Sequence, residues 1–416
     1  MKLKKVNMTL KVNRILALSV SFLLIGCEME VNNPNSINYK NLNNPVTANA
    51  LSNGSLLEIA SGMGHMIAPY SVASDEVTWI GSRQAWGELN DGNYTNVANE
   101  FIDQAWGPFA SARWTADNAV ELIESFELGS YDANDLARAY LYAALTRVMI
   151  GDMFDDFVYS NRTVAGNAIG SANMFQVYDE AIELLNKAQI IVTDSDLNAK
   201  IIALRARAKY SKGVWYKVQP PVVTDDPYVD AGADDALAAI ANGGELFSWQ
   251  MLYSSNSTTN DLSWQINGRL ELALSPEDGD ADSQFSSDIR VQNIITEFSD
   301  VTGGTDYAPL TICSAKEMYL ILAESELVKN QLETARSYLN TLRALDGLAA
   351  DESTDVGVLL QFERRANLFL QGRRLADMYR FGQKSDHWSE LNDAITTPGT
   401  FLPIPYIEIE SNPNIP

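Results

Sequence analysis

The stretch "AKEMYLILAESELVKNQLETARSYLNTLRAL", Ala315–Leu345, constrains the fold most. It reads as two helices joined by a short Lys-Asn-Gln break. Tyr319, Leu320 and Ala323 recur at i, i+1 and i+4 on the first. Ala335, Leu339 and Leu342 recur at i, i+4 and i+7 on the second. Those spacings put one apolar stripe on each helix, and the small alanines let two such stripes approach closely. One pair cannot bury its outer faces alone, so a chain built from such pairs must stack them.

Further pairs follow the same logic. "ARAYLYAALTRVMIGDMF" and "MFQVYDEAIELLNKAQ" form another, with a loop inserted between them. Helices are expected at Val46–Met66, Asn99–Glu127, Asp135–Ile150, Met174–Ile191, Leu197–Lys212, Ser314–Lys329, Gln331–Leu345 and Val356–Arg380. Pro108 is expected to kink or split the second of these. The pairs resemble tetratricopeptide units, without the full Trp-Leu-Gly-Tyr pattern. Irregular insertions are expected near 67–98, 217–235 and 247–288. In the last, "SWQINGRLELAL" places Asn267-Gly268 between alternating residues, which predicts a β-hairpin. The tail "FLPIPYIEIESNPNIP" carries four prolines and is expected to lie extended.

The N-terminus sets the compartment. Lys2, Lys4, Lys5, Lys11 and Arg14 precede a short apolar run, Ile15–Gly26, too short to span a bilayer. It ends in Leu24-Ile25-Gly26-Cys27, a lipobox in which Cys27 would become lipidated and N-terminal after cleavage. A signal peptide followed by a chance cysteine is the blander alternative. The expected organisation is a signal peptide at 1–26, a lipidated tether at 27–45 rich in Asn and Pro, and a single helical domain at 46–416. Removing residues 1–26 takes away five positive charges and no negative ones, deepening the net charge from −24 to −29. No basic stripe is left to meet phosphates, which argues against a nucleic-acid partner. With Cys27 lipidated, Cys313 is the one remaining cysteine, and its neighbours mark it as a small buried hydrophobe.

Three stretches invite a chemical reading. "FERRANLFLQGRRLADMYRFGQ", Phe362–Gln383, holds five arginines and two acids. Arg373 and Asp377 at i, i+4, and Asp377 and Arg380 at i, i+3, predict an ion cluster on one helix face. Glu363 and Asp377 stand 14 positions apart, ~21 Å along a straight helix, too far for a glycosidase pair. The expected role is structural: charges at an interhelix seam, with Gly372 allowing close approach.

The ligand candidate is "SDEVTWIGSRQAWGELNDGNY", with Asp75, Trp79, Arg83, Trp86, Asn90, Asn93 and Tyr94. Its three glycines argue against one continuous helix. Loop aromatics can stack on the C–H face of a sugar ring while Asp, Asn and Arg bond its hydroxyls. The competing expectation is that the tryptophans plug a gap between loop and helices. Trp249, Tyr253 and Trp264 form a second, weaker aromatic rim. "DGDAD" at Asp278–Asp282 alternates acids like a calcium loop, but Ser283 and Ile289 occupy the positions where such a loop needs Gly and a bidentate acid. With two histidines there is no His/Cys metal cluster, and neither a cofactor nor nucleophile-plus-base machinery is expected.

Four features together resemble the SusD/RagB family of nutrient-binding outer-membrane lipoproteins: the Leu24–Cys27 lipobox, "NNPNSI" after it, "FERRANLFLQGRRLADMYRFG" and the terminal "LPIPYIEIESNPNI". The resemblance implies a mainly α fold of tetratricopeptide-like pairs forming an α-superhelical body, with irregular loops and a small β-hairpin on the ligand face. It implies a non-enzymatic surface lipoprotein that captures oligosaccharide and passes it to a SusC-like TonB-dependent barrel. It places a glycan site in the region of Asp75, Arg83, Trp86 and Asn93; Trp79 and Tyr94 join them on stacking grounds alone. The alternatives are a helical adaptor of the transporter, a peptide binder, or a surface glycosidase with two converging carboxylates.

Overall fold

The computed structural model describes residues 42–161, 163–218, 226–274, 283–299 and 306–415. Cys27 and Asp278–Asp282 lie outside them. The first helix, α1 (Ala48–Ala73), is two turns longer than its expected end at Met66. It packs along α3 (Glu100–Glu124), and the contact is close because Gly62 has no side chain. A Cβ there would sit 3.0 Å from the Phe109 Cα. α3 runs through Pro108 as one helix, so the proline does not split it. Asn99 caps α3 by accepting the Phe101 N–H, a partner for one of the bonds a helix start leaves open.

From α3 the helices stack in chain order. α4 (Ala133–Met153) packs on α5 (Phe175–Ile191), α5 on α6 (Ser195–Val218), and α6 on α7 (Ala233–Gly243). α7 meets α9 (Ala315–Val328), which pairs with α10 (Leu332–Leu345) as the opening motif requires. Ala335, Leu339 and Leu342 are fully buried at that crossing. The described residues from Asn44 onward form one compact unit, mainly helical.

Two small antiparallel sheets decorate the stack. β1 (Thr78–Trp79) pairs with β3 (Leu272–Ala273), and β2 (Ser248–Met251) pairs with β4 (Leu310–Ser314). The expected hairpin at Asn267-Gly268 is absent from this segment. Trp264–Gly268 forms a π-helical turn, and the strand after it pairs with β1, far upstream in sequence. Asn267 ties the turn down, its side-chain amide donating to the carbonyls of Ser263 (3.1 Å) and Phe298 (2.7 Å). Cys313 lies on β4 opposite Trp249, fully buried, and burial pushes its thiol up to about 12.

Val356–Arg380 is not one helix. α11 (Val356–Asn367) and α12 (Arg374–Arg380) are separated by a break in which Leu370 (φ 58°) and Gly372 (φ 71°) are left-handed. Gly372 abuts α4, where a Cβ would come 2.7 Å from the Met153 methyl. The close approach expected of Gly372 is therefore present. Leu370 pays a conformational cost unusual for a branched residue, and the Glu76 carboxyl group holds it, its Oε1 accepting the Leu370 N–H at 2.8 Å. The tail is not wholly extended either. Tyr406–Ser411 forms a short helix, α13, flanked by the prolines rather than interrupted by them. Its Glu408 takes the Trp106 indole N–H at 3.0 Å, docking the tail on α3.

Candidate functional site

The arginine-rich segment is built as scaffolding, by pairings across elements more than along one helix. Asp377 pairs with Arg380 (2.9 Å) as expected, but its second partner is Arg364 (2.8 Å) of α11. Arg373 leaves Asp377 and reaches Glu317 (3.1 Å) of α9 and Asp152 (3.7 Å) of α4. The helix break between Asn367 and Arg374 redirects it. Arg380 binds Glu324 of α9 at 2.5 Å and the Tyr210 hydroxyl at 2.8 Å. Glu363 accepts from Arg290 and from Arg343 (2.6 Å). Burial pushes the Asp377 carboxyl up, but Arg364 and Arg380 outweigh it and hold the group below the usual carboxylate range. Glu363, Glu317, Glu324 and Asp377 each face at least one guanidinium from another element, the arrangement of a scaffold.

Asp75 belongs to this web. Arg374 grips it in a fork (2.6 and 2.7 Å) and Arg365 adds a third contact at 3.2 Å. Desolvation raises its carboxyl, and the two guanidiniums more than reverse that. Its chemistry is spent inside the protein.

The stretch after Asp75 is more ordered than the expected loop. β1 leads into α2 (Gln84–Asn90), a helix whose N-terminus lacks its own side-chain cap. Glu271 braces the approach to it from across the sheet: its Oε2 accepts the N–H groups of Ser82 (2.9 Å) and Arg83 (3.1 Å), the two residues before the helix. An acidic group there also suits the positive end of the helix. Desolvation raises the Glu271 carboxyl, but those donors prevail and lower it. Nothing near Arg83 in sequence announces Glu271, and the hairpin expectation concealed it.

α2 turns Trp86 inward. Its ring stacks on Phe101 at 3.6 Å and is 1% exposed. Tyr94 is also fully buried, its hydroxyl donating to the Ala73 carbonyl. In this conformation neither ring offers a face to a ligand, which matches the gap-plugging alternative. Trp249 and Tyr253 are buried too, the latter donating to the Ala60 carbonyl at 3.1 Å. Asn93 is half-buried in the turn that closes α2.

Trp79 and Trp264 differ. Each lies against a glycine: a Cβ on Gly87 would come 2.8 Å from the Trp79 ring, and one on Gly268 would come 2.1 Å from the Trp264 ring. Trp79 is half-buried and Trp264 is 41% exposed. The β1–β3 pairing carries the two segments together, with the Ile80 N–H on the Glu271 carbonyl (3.0 Å) and the Glu271 N–H on the Gln265 carbonyl (3.0 Å). Ile80 and Leu270 project beside them at 60% and 66% exposure. Leu270, like Leu370, is left-handed (φ 55°). Half-exposed Arg83 sits at the start of α2, 3.6 Å from Glu100. Of the six candidates, then, Asp75, Trp79, Arg83 and Asn93 are half-buried and keep partial access to solvent, though Asp75 is taken up by Arg374 and Arg365. Trp264, Ile80 and Leu270 are the exposed apolar residues on the segments that this pairing joins, and of these only Trp264 was expected, in the weaker rim.

Comparisons place this architecture. The SusD family model matches residues 302–416. A SusD superfamily protein from Bacteroides thetaiotaomicron VPI-5482 has the same fold, with TM-score 0.65 at 17% identity over 90% of this chain and 99% of that one. One from Parabacteroides distasonis ATCC 8503 gives 0.64 at 16%, covering 91% and 98%. A SusD-like carbohydrate binding protein from Bacteroides vulgatus ATCC 8482 gives 0.56 at 15%, covering 82% and 84%. No curated protein matches. The resemblance to the SusD/RagB family is borne out, in the C-terminal part by the family model and over most of the chain by the fold.

Proposed function

We propose that this protein is a non-enzymatic, lipid-anchored glycan-binding protein of the outer membrane that delivers oligosaccharide to a SusC-like TonB-dependent transporter. The observation that carries the glycan reading is the pair of glycine-backed indoles, Trp79 on β1 and Trp264 in the turn before its partner strand β3, with Arg83 four residues after Trp79. An indole seated against a glycine is held by packing on one side, which limits the entropy lost when a sugar ring stacks on it. Arg83 and Asn93 supply donors for hydroxyls. The fold shared with a SusD-like carbohydrate binding protein supports the same reading.

The test is binding of the purified protein to a panel of oligosaccharides, with Trp79→Ala, Trp264→Ala and Arg83→Ala. Each tryptophan variant should weaken binding about tenfold, as loss of one stacking contact would. Wild-type affinity in all three would sink the site. Delivery requires that the native protein co-purify with a SusC-like barrel. The lipobox supports anchoring: Cys27→Ser should shift the protein from the membrane to the soluble fraction, and retention in the membrane would refute the anchor.

A further inference from the structure

Five large apolar side chains among the described residues are more than four-fifths exposed: Val46 (85%), Leu128 (90%), Ile190 (83%), Leu246 (82%) and Leu391 (87%). The first four stand at one end of the helical stack. Val46 precedes α1, Leu128 lies in the turn after α3, Ile190 is in the last turn of α5, and Leu246 follows α7. Bonds between elements hold these ends together. The Asn49 side chain, at the start of α1, donates to Asp135 at the start of α4 (2.9 Å). The Tyr140 hydroxyl of α4 donates to Glu124, the last residue of α3. The Asn134 amide donates to Thr193, just past α5 (2.9 Å), and that of Asn198, near the start of α6, to Asn242 in the last turn of α7 (3.3 Å). Leu246 shares a surface cleft with α8 (Ile289–Ser299) and with Leu345, the last residue of α10. Leu391 lies at the opposite end. Its neighbour Trp388 donates to the carbonyl of Ala73, the last residue of α1 (3.1 Å).

Single exposed leucines are ordinary on a protein surface, but four of the five most exposed at one end call for a cause. The chain supplies one. Its described residues begin at this end, with Leu42 and Asn44 leading into α1. Fourteen residues separate Cys27 from Leu42, and a chain of that length spans at most ~50 Å. Lipid on Cys27 therefore keeps this end near a bilayer, and a contact too weak to hold a free protein becomes effectively intramolecular. The tips suit lipid better than protein. Each is an aliphatic side chain on its own loop, whereas a protein interface centres on a contiguous patch rich in aromatic residues. Charge narrows the lipid. Glu121, Glu124, Glu127, Asp132, Asp194 and Asp196 lie at this end, while Arg138, Lys187, Lys200 and Lys316 are each paired with an acid. Anionic headgroups would be repelled, so the attraction is apolar. We infer that this end of the stack rests on a zwitterionic lipid surface, with Val46, Leu128, Ile190 and Leu246 dipping into the headgroup region. The inference rests on the anchored reading above. It also sets an orientation: α1 runs ~39 Å from this end to the segment bearing Trp79, which turns the Trp79 surface away from the lipid.

The experiment places one nitroxide at a time on Leu128→Cys or Ile190→Cys, and on Val328→Cys or Leu391→Cys at the opposite end. Cys313 is fully buried and stays unlabelled. Two forms are seated on phosphatidylcholine vesicles: the native lipidated protein, and Cys27→Ser protein held on nickel-chelating lipid by a hexahistidine tag in place of residues 1–26. In both, labels at 128 and 190 should collide with a water-soluble chromium reagent roughly fivefold less than labels at 328 and 391. Val46→Gln with Leu246→Gln, both exposed changes, should return the label at 128 to the level of 328. Phosphatidylglycerol in the vesicles should weaken the protection. Equal collision at the two ends of the tagged form would overturn the seating. So would protection that ignores the glutamines, that grows with phosphatidylglycerol, or that requires a SusC-like barrel in the membrane. Protection in the tagged form, with native protein whose membrane attachment does not depend on Cys27, would overturn the anchor and leave the seating standing.

Discussion

At the scale of single residues, Glu76 shows how burial and backbone geometry constrain each other. It is 5% exposed, accepts the N–H of strained Leu370, and receives the Ser71 hydroxyl at 3.3 Å. Burial pushes its carboxyl up to about 8, beyond what the Leu370 N–H takes back. The folded state thus holds a proton that the unfolded chain releases near the usual glutamate value of ~4.3. The stability associated with the neutral group is fully present below that pH and is lost as pH rises to about 8. Glu76→Gln keeps an acceptor for Leu370 and cannot ionise. It should raise stability at pH 8 by a few kcal/mol, on the order of 3, and leave it unchanged at pH 4. Denaturant titrations at the two pH values check this. An equal gain at both would show that the charge is not the cause.

At the scale of elements, α9, α10 and the helices before them were legible because their apolar residues repeat with the helical period, and local spacing suffices to see that. The break after Asn367 was not expected, although it left a local sign: at 3.6 residues per turn Leu375, Met378 and Tyr379 fall on the opposite side of a continuous helix from the stripe of Phe362, Ala366, Phe369 and Leu370. What breaks the helix is remote: Met153 crowding Gly372, and Glu76 holding Leu370. The same holds for the candidate site. Trp79 and Arg83 could be chosen by residue type, but whether Trp86 faced in or out depended on α2, whose approach Glu271 braces from nearly two hundred residues away. A glycine-bearing stretch gives no local sign of that helix. The α9–α12 contact carries its own prediction. Arg380 and Glu324 are both fully buried and mutually paired. Arg380→Met leaves Glu324 buried with less compensation and should cost roughly 3–5 kcal/mol. Adding Glu324→Leu should recover part of that loss, since removing both charges removes the unpaired one. Unfolding free energies of the two single variants and the double variant form the cycle, and strict additivity would refute the coupling.

At the scale of the whole molecule, the arginines of Phe362–Gln383 tie together elements that the stack alone would join only to their neighbours. A linear array of helical pairs is stabilised mostly by nearest-neighbour contacts, so it can open from one end. Here Arg374 and Arg365 reach the end of α1, Arg373 reaches α4 and α9, and Arg380 reaches α6 and α9. A segment near the C-terminus thereby makes the early and late helices depend on one another. The expected consequence is one cooperative unfolding transition in place of stepwise fraying. Arg373→Leu, which strips a partner from buried Glu317 and from Asp152, should move that transition down as a whole. A loss of ~4 kcal/mol in a chain of this size corresponds to about 5 °C. Far-UV dichroism, which follows all helices, and the methyl resonances of Ile102 and Ile123 in α3, near the other end of the chain, should shift together. Native α3 methyl resonances that persist to the wild-type temperature while helicity falls earlier would mean that the web does not couple the two ends, and that the stack unfolds as a linear array after all.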